Sequence, residues 1–373
     1  MRNRVCVSAV FLGAVCLTGC ADLFNEPLLD NGAASARDVD DPVANGVLAD
    51  DVLDDDDGEP ALLGPPYPIV LVHGFSGWMD VAGVEYFYGI PEDLRAAGAD
   101  VTAPNLPPYD SSGERALVLA RVVDNVLART HKKKVHLIAH SQGGVDSRVL
   151  ITDLGYADRV ASLHTISTPH RGTAAADVAA IGGGTVLNPA GQLIGWLLGE
   201  LEGSPNPGAD WYDDGYLENG YRPDLQAAIR NLQPKTMEAF NASHPDPAGV
   251  PIFSVAGVSN LLSINQSECE GGLWDFPNRV DIIDPLFAAT GLYLSNSDGG
   301  WVLDPTPNDG LVTVASSRWG TFLGCFAADH LDEIGQVVDF TAGIVSGFDH
   351  RRLYLQLMQN ARVVEAIELA NGG

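Results

Sequence analysis

The segment Val135-His136-Leu137-Ile138-Ala139-His140-Ser141-Gln142-Gly143-Gly144 carries β-forming apolar residues into a serine flanked by small residues, and an apolar helical pattern follows. That composition reads as a strand, a sharp turn and a helix, with Ser141 on the turn. A serine in so tight a turn leaves no room for side chains two positions before and after it, so Ala139 and Gly143 fit where leucine would clash. The turn aims the Ser141 hydroxyl outward. It also sets the Gln142 backbone N–H at a helix N-terminus, where partial positive charge favours an oxyanion. Taken alone, the stretch is equally a loop serine after a buried strand, and the rest of the chain decides between the two.

Upstream, Tyr67 to Val72 reads as a buried strand running into His73-Gly74-Phe75-Ser76-Gly77. A glycine-containing loop after the first core strand exposes a backbone N–H to a pocket; the Phe75 N–H with that of Gln142 makes a two-donor oxyanion hole. Ser111-Ser112-Gly113-Glu114 forms a capping box ahead of Leu119, Val122, Val123, Val126 and Leu127, and Lys132-Lys133-Lys134 reads as the solvated end of that helix. Strand, helix, strand in this order predicts a parallel sheet. Further strands are expected over Leu163–Ser167, Pro251–Val258 and Leu311–Val314, one helical piece near Pro223–Phe240, and a closing amphipathic helix over Leu353–Leu369. Between them, Gly182-Gly183-Gly184 precedes the apolar run Leu193–Leu198. That run is either buried core or a lid over 182–207 that opens at a lipid surface.

The ends and the composition set the context. Arg2 and Arg4 precede an apolar run from Val5 to Leu17, too short for a stable span, and Leu17-Thr18-Gly19-Cys20 closes it. This resembles a bacterial lipoprotein leader over 1–19, which implies cleavage before Cys20, acylation of that thiol and an exported, lipid-anchored protein at the outer membrane or cell surface. Residues 20–66 are rich in Asp, Ala, Gly and Pro and include Asp54-Asp55-Asp56-Asp57, the composition of a solvated, disordered tether ahead of a domain over 67–373. The chain has 49 acidic and 21 basic residues, so nothing would neutralise phosphates and nucleic acid is excluded as a partner. Of five cysteines, Cys6, Cys16 and Cys20 lie at the extreme N-terminus; the remaining pair, Cys269 and Cys325, suits a single disulfide in an exported protein.

A serine nucleophile needs a histidine base and a carboxylate that orients it. In chain order serine, acid, histidine, His164 and His170 come too early, and His350 is framed by Arg351 and Arg352 on the terminal helix. His330 remains, with Asp309 as the natural orienting acid; Asp298 and Asp304 compete on spacing.

Several islands now recur in one order: Tyr67–Gly74, Tyr86–Pro91, Ala139–Gly143, Pro169–Gly172, Ile283–Pro285, Asn308–Val312 and His330–Glu333 with Gln336. Together they resemble the bacterial true lipases of the Pseudomonas and Burkholderia type, within the α/β-hydrolase superfamily. The resemblance implies an α/β-hydrolase fold, with a mostly parallel sheet and helices on both faces. It also implies triacylglycerol hydrolysis with Ser141 as nucleophile, Asp309 as acid, His330 as base, and Phe75 and Gln142 as the oxyanion hole. It further implies a structural calcium held by Asp284 and Asp332 with backbone carbonyls near Gln336 and Phe340, a ligand set that suits a hard cation. A dedicated lipase foldase comes with the resemblance as a partner, though no residue here signals it. Two departures stand out: the family's second cysteine position is occupied here by Val314 and Ala315, and the lipoprotein tether is unlike a freely secreted lipase. The rivals are a short-chain or polyester esterase of the same fold, and a lipid-binding surface lipoprotein without catalysis.

Overall fold

The computed structural model describes residues 64–75, 77, 80–81, 84–182, 224–259, 267–274, 281–297, 305–336 and 347–370. The leader with Cys20, the tether up to residue 63, lid residues 183–207 and Phe340 lie outside the described residues. Gly64, near the end of the expected tether, already belongs to the domain: its N–H donates to the Ala97 carbonyl at 2.7 Å.

Among the described residues eight strands form, β1 (Ile69–Val72), β2 (Asp80–Val81), β3 (Val84–Glu85), β4 (Val101–Thr102), β5 (Val135–His140), β6 (Val160–Ile166), β7 (Ile252–Gly257) and β8 (Thr321–Phe326). Six of them make one sheet in the order β4-β1-β5-β6-β7-β8, every pairing parallel, while β2 and β3 pair antiparallel as a small ribbon. Every residue of β1, β5, β6 and β7 is buried, which is why these strands are mostly apolar: a parallel sheet is covered on both faces.

Alternation sends one set of side chains to each layer. Ile69, Leu71, Ile138, Ile166 and Val255 pack with α1 (Ile90–Ala96) and with Leu353, Tyr354, Leu357 and Met358 of the terminal helix His350–Ala370. Val70, Val72, Leu137, Ala139 and Leu163 pack on the other face, against Leu119, Val123 and Val126 of α2 (Ser112–Thr130) and Val149, Leu150 and Ile151 of α3 (Gln142–Thr152). A fully buried leucine such as Leu119 contributes about 2 kcal/mol by leaving water. The cap expected at Ser111 forms, its Oγ accepting from the Glu114 N–H at 3.2 Å. Lys134 is not wholly solvated: its Nζ meets Glu368 of the terminal helix at 2.6 Å, half-buried.

Two local expectations are corrected, and one strand is new. The single helical piece expected near 223–240 is two helices, Leu225–Asn231 and Pro234–Ser243, because Pro234 cannot continue the first and starts the second instead. Leu311–Val314 is not a strand but a turn, bridged between Asn308 and Thr313, and a short helix, Val314–Ser317. The Asp309 carboxylate captures the N–H groups of Leu311 and Val312, the donors a strand ladder would have needed. The edge strand β8 was not foreseen, since Gly324 interrupts its apolar pattern.

In-register pairing of Val72 with Ala139 brings the carboxyl ends of β1 and β5 side by side. The loops that follow these strands therefore meet, at the end of the sheet where open α/β folds bind ligands.

Candidate active site

Ser141 follows β5 with φ 55° and ψ −131°, a left-handed backbone that a non-glycine residue adopts only under constraint. The constraint is visible on all sides. The Ser141 N–H donates to Ile166 O at 2.9 Å, and its own carbonyl accepts from Thr168 Oγ1 at 2.9 Å and from the Gly144 N–H at 3.1 Å. A Cβ on Gly143 would stand 2.4 Å from the Val72 carbonyl oxygen, and one on Gly144 would stand 2.2 Å from Thr168 Oγ1. Small residues are thus required where the first turn of α3 presses on β1 and on the loop after β6.

His330 lies in the loop after β8. Its Nε2 is 2.9 Å from Ser141 Oγ and its Nδ1 is 2.6 Å from Asp309 Oδ2. Asp309 is fully buried, and its other oxygen accepts the N–H groups of Leu311 at 2.8 Å and Val312 at 2.7 Å. Those bonds leave Oδ2 aimed at the imidazole. A carboxylate acceptor at Nδ1 places the ring proton there and leaves the Nε2 lone pair facing the serine hydroxyl. The rival acids Asp298 and Asp304 lie outside the described residues. The other histidines after Ser141 are engaged elsewhere: His164 with Asn360, His170 with Thr165, His244 with Asp153, and His350 with the Tyr88 carbonyl.

The loop carrying Phe75 leans on the nucleophile, since a Cβ on Gly74 would fall 2.6 Å from Ser141 Cβ. Phe75 itself packs edge-on against Tyr109, centroids 5.3 Å apart. Gln142 opens α3, so its N–H is among the first-turn donors that have no carbonyl within the helix. Its side chain is occupied, donating to Asp110 O at 2.9 Å.

Behind the histidine runs a buried polar chain that the sequence did not suggest. The Gly74 N–H donates to Tyr86 Oη at 3.1 Å, Tyr86 Oη meets His140 Nδ1 at 2.7 Å, and His140 Nε2 meets Glu333 Oε2 at 2.9 Å. Ser167 Oγ donates to the other Glu333 oxygen at 2.6 Å. Burial, reinforced by the nearby Asp309 charge, pushes the Glu333 carboxyl well above the usual range; burial, reinforced by His330, pushes His140 well below it. Both shifts run toward the uncharged form of the group. The His140 ring lies 4.5 Å from the His330 ring, so this polar chain packs directly against the imidazole that faces Ser141.

On the outer side of the same loop, carboxylate oxygens of Asp281, Asp329 and Asp332 lie within 4.8 Å of one another, and all three residues are buried. Burial, reinforced by the Asp281 charge, raises Asp329 to about 7 even though backbone N–H groups of Asp284 and Leu331 donate to it. Like-charged oxygens gathered out of water are a group that could hold a metal ion. Of the expected ligands, Asp332 is in this trio. Asp284 adjoins it through its backbone N–H, 3.0 Å from Asp329 Oδ2, while its own Oδ1 accepts from Leu286 N–H at 2.7 Å. The Gln336 amide is turned to the Tyr86 carbonyl at 3.1 Å. Cys269 and Cys325 form the expected disulfide, tying β8 to the 267–269 turn.

A chain-wide comparison decides the family: a triacylglycerol lipase of Vibrio cholerae is 32% identical over 276 residues, spanning 72% of this chain and 79% of that protein. This chain belongs to the triacylglycerol lipases. A member from Burkholderia plantarii is 29% identical over 310 residues, spanning 73% and 80% of the two chains. The family model for the alpha/beta hydrolase fold matches residues 67–183. The lipase of Staphylococcus hyicus superposes with a TM-score of 0.57 at 19% identity, covering 82% of this chain and 98% of that one, which shows the shared fold. The protein is accordingly a serine ester hydrolase of α/β-hydrolase architecture.

Proposed function

We propose that the protein hydrolyses acylglycerols through an acyl-enzyme on Ser141, with His330 as base and Asp309 as the acid that orients it. The observation that carries this reading is the hydrogen-bonded relay from Ser141 Oγ to His330 Nε2 at 2.9 Å and from His330 Nδ1 to Asp309 Oδ2 at 2.6 Å. His330 takes the hydroxyl proton as Oγ attacks the ester carbonyl. The tetrahedral oxyanion is received by the Phe75 and Gln142 N–H groups. His330 then gives its proton to the departing alcohol, and a water activated by the same imidazole releases the fatty acid and restores Ser141. The glyceride substrate is supported by the names of the relatives from Vibrio cholerae and Burkholderia plantarii, both triacylglycerol lipases.

Calcium is the cation we assign to the acidic group beside the base, held by Asp332 with Asp281, Asp329 or Asp284 contributing. Three carboxylates at one point match its preference for oxygen, and Asp329 and Asp332 flank His330, so the ion would brace the loop that presents the imidazole. Export and anchoring through acylated Cys20 belong to the same proposal and rest on the leader alone.

The test is hydrolysis across acyl chain lengths by the purified protein, with monomeric and emulsified substrate. Lipase action predicts turnover of long-chain triacylglycerol that rises when emulsion forms. Turnover confined to soluble short-chain esters would favour the esterase reading, and no turnover of any ester would overturn both.

A further inference from the structure

We propose that Arg115 is a positioning residue of the oxyanion hole, fixing the plane of the Gly74–Phe75 peptide and its spacing from the first turn of α3. The inference rests on the reading of Phe75 and Gln142 as oxyanion donors and adds the group that sets their geometry.

Arg115 sits in the first turn of α2 with no exposed surface. Burying a guanidinium costs several kcal/mol unless its donors are met, and here they are met by one particular set of acceptors. Nε donates to Asp146 Oδ2 at 2.7 Å, Nη2 to the His73 carbonyl at 2.6 Å and to the Gly74 carbonyl at 3.3 Å, and Nη1 to the Pro107 carbonyl. Asp146 lies one turn into α3 from Gln142. One planar fork therefore joins the helix that supplies the second oxyanion donor to the loop that supplies the first.

The Gly74 carbonyl and the Phe75 N–H belong to one rigid peptide unit. Whatever holds the carbonyl also aims the N–H. Three donors hold it: His73 Nδ1 at 2.9 Å, the Gly77 N–H at 3.2 Å and Arg115 Nη2 at 3.3 Å, of which only Arg115 also reaches α3, through Asp146. The His73 proton must be on Nδ1, because its Nε2 accepts the Leu106 N–H at 2.8 Å. Burial, helped by the Arg115 charge, lowers His73 to about 3, so this arrangement persists across the working pH range. A cationic donor on the oxygen also draws electron density from the opposite end of the same amide, which strengthens its N–H as a donor.

Lysine keeps the charge beside Asp146 but offers one ammonium where a fork spans four acceptors. The experiment measures Arg115→Lys, and the double variant Arg115→Gln with Asp146→Asn, which removes both buried charges together should the single variant fail to fold. Both are assayed as full chains against wild type for kcat and KM on p-nitrophenyl butyrate, for inhibition by phenylboronic acid, and for a cooperative melting transition. The boronate adduct on Ser141 places an anionic oxygen in the hole, so its Ki reports the hole in the folded fraction alone. Expected is a fall in kcat of at least tenfold, KM within twofold, and Ki weakened in parallel with kcat/KM. A folded variant with wild-type kcat and Ki overturns the inference. So does a fall in kcat with Ki unchanged, which is the signature of a smaller folded fraction. Wild-type protein that neither turns over ester nor binds boronate would instead overturn the underlying functional reading.

Discussion

His330 is tied to Asp309 twice: its backbone N–H donates to the Asp309 carbonyl at 3.0 Å, and its Nδ1 meets Asp309 Oδ2 at 2.6 Å. The backbone bond pins the loop bearing the base to the turn bearing the acid, and the Nδ1–Oδ2 bond holds the ring itself toward Ser141.

Asp309→Asn should keep the fold and lose most of the activity. The Leu311 and Val312 N–H groups demand an oxygen, so the amide NH2 would turn to His330 Nδ1. That forces the proton onto Nε2, the wrong nitrogen for a base. A fall in kcat of roughly 10⁴-fold is expected by analogy with other triads, measured beside a melting curve close to wild type. Near-wild-type kcat would assign the acid elsewhere.

The strain at Ser141 gives a stability test independent of turnover. Both Ser141→Ala and Ser141→Gly should abolish hydrolysis, but only glycine accepts φ 55° and ψ −131° freely. The glycine variant should unfold later than the alanine variant, by about 1 kcal/mol after its greater unfolded-state entropy is allowed for. Equal denaturation midpoints would mean the turn is relaxed.

Buried histidines set an acid-side slope. Burial lowers His164 and His73 to about 3, against 6.5 when unfolded. Below pH 6.5 the unfolded chain binds protons that the folded chain refuses. The contribution is therefore complete above pH 6.5 and is lost as pH falls toward 3, by about 1.4 kcal/mol per pH unit for each histidine. Asp146, raised by burial to about 6, acts in the opposite sense. The clean measurement is consequently a difference: His164→Gln should lose stability less steeply than wild type between pH 6 and 4, and parallel slopes would contradict the assignment.

Chelation should lower the melting temperature. With calcium at a hundred times its Kd, the ion stabilises the fold by about 2.7 kcal/mol, which is roughly 5 °C for a domain of this size. Asp332→Asn should remove most of the chelator effect. A melting point indifferent to chelator in wild type would count against calcium at the Asp281, Asp329 and Asp332 group.

Much of this site is local in the chain, which is why it could be read there. The turn at Ser141 announces itself through Ala139 and Gly143, and order along the chain pointed to His330, with Asp309 as the natural acid beside the rivals Asp298 and Asp304. What was hidden depends on loops meeting in space. Asp281 and Asp329 look like ordinary loop carboxylates until the segments 281–284 and 329–332 lie together. His140 reads as part of a buried strand, and only the fold shows Tyr86 and Glu333 at its two nitrogens. Arg115 was indistinguishable from the other residues of a capped helix. The strand expected at Leu311–Val314 failed for a related reason, because the Asp309 side chain takes the backbone donors there.

The nucleophile itself can be tested in one step, by treating the full-length protein with a fluorophosphonate ester and mapping the adduct by mass spectrometry. One phosphonyl group on Ser141, formed in proportion to lost esterase activity and at least a hundredfold slower in His330→Ala, is the predicted result. Stoichiometric inactivation with the adduct on any other residue, or undiminished labelling of Ser141 without His330, would contradict the mechanism.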